Sequence, residues 1–144
     1  METVFSILHV VGAVFIVGPM AILPMTAMRA LRSGAHAQVA VLAKSTMIFS
    51  YLSLIVFVLG FGLVGMADPK YQLSVTTPWV LWSIILYVIA VVVSLALVVP
   101  AMRRAAASGA DGGTVITRSP AISAGSGVVS LLLVVVVVLM VWKP

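Results

Sequence analysis

The chain has 144 residues, 63% of them hydrophobic and only 8% charged, with a net charge of +5. Soluble domains carry roughly 25% charged residues, and a chain this short cannot hide so much apolar surface in a water-soluble core, so lipid is the fitting solvent. The absence of cysteine excludes disulfides, thiol chemistry and Cys-ligated iron–sulfur clusters, and the length allows one domain, residues 1–144.

The first apolar block predicts a helix over about residues 3–28, longer than the roughly 20 residues needed to cross hydrocarbon. No Lys or Arg precedes it, and it exceeds a signal-peptide core of about 7–15 residues, so it reads as a mature helix. It holds His9, and Gly18-Pro19 and Pro24 interrupt its second half. Proline removes a backbone donor and clashes with the preceding turn, so a kink is expected near Gly18-Pro19. Residues 29–44 read as a polar connection broken at Ser33-Gly34, with a short surface helix from Ala35 to Leu42 and His36 in solvent.

The second helix is expected over 45–66. Gly60, Gly62 and Gly65 near its end, like Gly12 and Gly18 in the first, let helix backbones approach closely within the bundle or against a second copy. Asp68-Pro69 marks a turn, and Tyr71 suits the membrane interface. The third helix is expected over 78–102, with Pro78 at its first position, Thr76 or Thr77 as cap, and Pro100 helping to end it. Trp79 and Trp82, one turn apart, favour the headgroup level, as does Trp142 beside Lys143 at the close of a fourth helix over 121–142. Its Val134 to Val138 run is poor helix former in water, but an unsatisfied backbone in lipid costs more, so helix wins. Between helices three and four, Ser, Gly and Ala argue for a flexible loop around Ser108 to Gly113. Asp111-Gly112-Gly113 has no preceding strand and no following Lys, so it is not a phosphate loop.

The basic residues fall on alternate sides of this path. Arg29, Arg32, Lys44, Arg103, Arg104 and Arg118 share one side, against Lys70 and Lys143 on the other. The positive-inside rule puts the six in the cytoplasm and both termini outside, and gives these charges a topological role in place of nucleic-acid binding. The helix hairpins form a 2+2 pattern that reads as topology, since the halves share little sequence.

His9 is the one ionisable side chain inside a span apart from tyrosines, and intramembrane ionisable groups are costly enough to mark function. A neutral His9 can donate to a backbone carbonyl or to Ser83 and fasten two helices. It can instead supply one axial ligand to haem or a metal, or meet a quinone or a partner. No intramembrane carboxylate pair exists for a proton relay. Asp68 and Asp111 fall on opposite sides of the membrane, which excludes a Ser-His-Asp set, and no four-donor zinc set is present. An interrupted first helix is a transporter feature, though here without a polar lining.

The pattern Leu8-His9-Val10-Val11-Gly12-Ala13, running on to Val17-Gly18, resembles an uncharacterised bacterial family of predicted integral membrane proteins, domain of unknown function number 2269. The similarity extends over most of the chain. The helix-one pattern is also similar to copper-resistance-D-like membrane proteins, a resemblance that implies copper or haem on the first-helix histidine, here His9. The expectation is an all-α, four-helix transmembrane bundle with both termini outside, in a bacterial inner membrane. The leading function is a non-enzymatic packing protein or accessory subunit, touching lipid, a second copy or a larger membrane complex. A haem- or metal-binding redox protein using His9 is the alternative, and a small transporter or channel the third reading.

Overall fold

The computed structural model describes residues 1–108 and 114–144. The expectations for Asp111-Gly112-Gly113 and the loop around them lie outside the described residues. Among the described residues, four helices are long and apolar enough to cross a bilayer: α1 (Glu2–Arg32), α2 (His36–Met66), α3 (Pro78–Ala107) and α4 (Pro120–Trp142). A single 3-10 turn, Pro69–Tyr71, lies between α2 and α3, and there is no strand among the described residues.

The helices are longer than the sequence suggested, and each extension has a local cause. Gly34 takes φ +79°, which glycine adopts without a Cβ penalty. The Gly34 N–H then donates to the Leu31 carbonyl and the Ala35 N–H to the Ala30 carbonyl, the Schellman closure of a helix end. Because the reversal is that tight, α2 begins at His36. The expected surface helix over Ala35 to Leu42 is instead the first turns of the second span, its Val39 and Ala43 fully buried.

Pro100 does not end α3. The helix passes through it by a π turn, Ser94–Val98, closed by the Val99 N–H on the Ser94 carbonyl. In α1 a matching π turn, Ala13–Val17, precedes Pro19, with the Gly18 N–H on the Ala13 carbonyl. A proline ring clashes with the carbonyl four residues back, and widening the turn by one residue is the common way a helix absorbs such an intrusion. In both units the proline stands two positions past the end of the π turn, a structural echo between the hairpins.

The helices form a ring: α1 beside α2 and α4, and α3 beside α2 and α4. Each presents a seam built of three- and four-residue steps, the spacing of left-handed bundles. In α2 it runs Val39, Ala43, Thr46, Ser50, Ser53 and Val56, and in α4 Ile122, Gly125, Val129, Leu133 and Val136. In α1 it runs Met20, Pro24, Ala27 and Leu31, and residues before Gly18 contribute nothing buried. Up to its π turn α1 rests on α2, without comparable contact to α3 or α4.

Candidate functional site at the first helix pair

The N-terminal half of α1 meets α2 through three interlocking contacts. A Cβ added to Gly12 would lie 2.7 Å from Val56 Cγ2, one on Gly60 3.0 Å from His9 Cε1, and one on Gly62 3.0 Å from the Phe5 ring. Side chains of one helix thus fill places where the other has none. The rising order Phe5, His9, Gly12 against the falling order Gly62, Gly60, Val56 makes the pair antiparallel. Gly65 has open space where a Cβ would stand, and at Gly18 the nearest atom is the Ala13 carbonyl oxygen of its own helix, at 3.9 Å.

His9 lies within this contact. Its Nδ1–H donates to the Val56 carbonyl oxygen at 2.9 Å, across helices; in the neutral tautomer that makes this bond, the lone pair lies on Nε2. Val56 precedes Gly60 by one helical turn, so the missing side chain at Gly60 makes room for the ring to reach that carbonyl. Ser83, the other partner weighed from sequence, donates to the Trp79 carbonyl of its own helix at 2.7 Å.

A second polar layer joins α2 to α3. Ser50 and Ser94 hydroxyls are 2.9 Å apart, and Ser53 lies 2.6 Å from the Tyr87 hydroxyl while donating to the Ser50 carbonyl at 2.7 Å. Phe57 stacks on the Tyr87 ring at 4.7 Å. Every buried side-chain nitrogen and oxygen among the described residues has a partner, as a lipid-embedded core requires. Sequence reasoning missed this layer. The available signal was three hydroxyl residues, Thr46, Ser50 and Ser53, at the same four-then-three spacing.

The remaining predicted residues sort to the two ends. Trp79 stands in the first turn of α3, with Trp82 one turn on and exposed, and Lys143 Nζ lies 6.0 Å from the Trp79 ring centroid beside Trp142. Thr77 occupies the cap position of α3, but its hydroxyl accepts from the Ser74 N–H instead of from the helix. Arg29 and Arg32 close α1, Lys44 lies in the first turns of α2, Arg103 and Arg104 near the end of α3, and Arg118 just before α4. At that basic end His36 is not free in solvent. Its Nδ1 is 3.0 Å from the Gly34 carbonyl and its Nε2 3.1 Å from the Ile116 carbonyl, so the ring bridges the two basic connections. Among the described residues no three His, Cys, Asp or Glu side chains gather to hold a metal ion.

Four spanning helices whose cores are fastened by buried hydroxyls and one imidazole define an integral membrane protein of the helical-bundle class. The chain belongs to the family described as predicted integral membrane protein (DUF2269), whose model matches residues 3–144. No curated protein and no solved structure matches it.

Proposed function

We propose that this protein is a non-enzymatic interaction protein of a bacterial inner membrane, an accessory subunit that packs against a larger membrane complex or a second copy. The observation that carries this reading is the outer half of α1. Val4, Ile7, Leu8, Val11, Val14 and Phe15 are all exposed there, on a helix held from one side while its inner half is held from two. A span supported on one side offers its free face to another helix with little rearrangement. Gly12, Gly60 and Gly62 serve the α1–α2 contact that holds this arm in place. Arg29, Arg32, Lys44, Arg103, Arg104 and Arg118 hold the basic end in the cytoplasm, which puts the arm on the outer side. Trp79, Trp82 and Trp142 anchor that outer boundary. Extraction into native-lipid particles is expected to yield the chain in a complex or as an oligomer. Recovery as a lone monomer overturns the reading.

A second reading rests on the hydrogen bond of His9. An imidazole whose Nδ1–H is held by a carbonyl presents Nε2 as a ligand, the arrangement metal- and haem-binding histidines use. One chain supplies a single such nitrogen, so a bis-histidine site requires two copies. The reading expects a visible Soret band in gently purified protein that shifts on reduction and is lost in His9→Ala. A flat visible spectrum with blank metal analysis removes it.

A further inference from the structure

At the basic end, α1 and α4 part to leave an open groove of about 340 Å³ lined by Met25, Met28, Arg29 and Arg32 of α1 and by Ser123, Ser126 and Gly127 of α4. Its deep limit lies where the helices touch, at the Ser130 hydroxyl on the Ala21 carbonyl, 3.3 Å. From there the lining is graded. Met25 and Gly127 come first, and nothing stands within 4 Å of where a Gly127 Cβ would be. Met28 and Ser126 follow, and Arg29, Arg32 and Ser123 form the mouth. Ser126 donates to the Ser123 carbonyl at 3.1 Å, so its oxygen keeps lone pairs to accept from a ligand hydroxyl.

Depth fixes what this groove meets. The 23 residues of α4 span about 34 Å, little more than the hydrocarbon core. With Trp142 at one headgroup level, Pro120 to Ser123 stand at the other. Two of the chain's three acidic residues, Glu2 and Asp68, belong to the opposite end, and Asp111 lies outside the described residues. The mouth is therefore cationic and at headgroup depth, and the floor is apolar and opens sideways to the acyl chains.

We infer that this groove binds one phospholipid with an anionic headgroup. The phosphate pairs with Arg29 and Arg32, headgroup hydroxyls meet Ser123 and Ser126, and the upper part of an acyl chain lies along Met25, Met28 and Gly127. A guanidinium pair suits phosphate because each fork offers parallel donors. The apolar floor distinguishes a lipid from a free anion, which would gain nothing from methionine.

The test is native mass spectrometry of the full chain in detergent, titrated with phosphatidylglycerol or phosphatidylcholine. One phosphatidylglycerol per chain is expected to be retained well beyond phosphatidylcholine, and millimolar inorganic phosphate leaves it bound. Arg29→Gln with Arg32→Gln weakens retention about thirtyfold, from two surface cations near an anionic lipid. Arg103→Gln with Arg104→Gln, the same charge change on α3, leaves retention nearly unchanged. Gly127→Leu, which fills the floor and keeps both arginines, also loses the lipid. Equal loss in the two arginine pairs, no preference for the anionic lipid, retention by Gly127→Leu, or displacement by inorganic phosphate overturns the proposal.

Discussion

Gly125→Leu is expected to unfold the α3–α4 pair, while Gly127→Leu leaves stability almost untouched. The two glycines stand two positions apart and read alike in sequence. A Cβ on Gly125 would lie 2.6 Å from Val98 Cγ2 and 3.5 Å from Leu97 Cδ2, whereas Gly127 has nothing within 4 Å. Val98 is fully buried and sits in the π turn before Pro100, so neither its side chain nor its backbone can retreat without disturbing that turn. Overpacking a core costs about 1–3 kcal/mol for a few methylenes and more where neighbours are fixed. We place Gly125→Leu at about 3 kcal/mol or beyond, and Gly127→Leu within about 0.5 kcal/mol as a surface change. Equilibrium unfolding in mixed detergent separates the two. Equal stabilities refute the packing of α4 on the widened turn of α3.

The pair Gly12→Cys with Val56→Cys is expected to close a disulfide almost completely under mild oxidation. The Cβ position of residue 12 lies 3.6 Å from Val56 Cβ, inside the roughly 3.5–4.5 Å that disulfides span. Replacing Val56 also removes the methyl that would crowd a new side chain at residue 12. The chain has no cysteine of its own, so any bridge comes from the introduced pair. Cleavage at Arg29, Arg32 or Lys44 separates the two positions into different peptides, and they remain joined until reduced. Val11→Cys with Val56→Cys, which moves the first thiol to an exposed face, is expected to link poorly. Efficient linkage in that control, or its failure in the first pair, contradicts the seating of α1 on α2.

These two contacts mark where the sequence was legible and where it was not. Hydropathy alone located the four spans, and Ser33-Gly34 located the first reversal, because a left-handed turn residue is a local signal. Lys44 misled: one charge among apolar residues looked like a loop, yet it rides on a helix whose Val39 and Ala43 are buried behind it. Pro100 misled for a related reason. Proline forbids an ordinary turn, and only the three-dimensional path shows the helix choosing a wider one over stopping. The acceptor for His9 is a main-chain carbonyl, which no residue type announces, and the space at Gly60 was its one trace. The serine layer stayed hidden because hydroxyls scarcely lower hydropathy, and their meaning lies in spacing.

The unequal helix lengths bear on where in a cell such a chain can reside. With 31, 31 and 30 residues, α1, α2 and α3 reach about 45 Å, while α4 alone is cut to the width of hydrocarbon. Pro19 and Pro100 give α1 and α3 places to bend, but α4 has no proline beyond its first residue and follows the bilayer directly. A thicker membrane therefore acts on α4 first, drawing Trp142 or Ser119 below the headgroups, while the longer helices still reach both surfaces. Hydrophobic mismatch costs fractions of a kcal/mol per Å, and in this molecule one helix out of four senses membrane thickness.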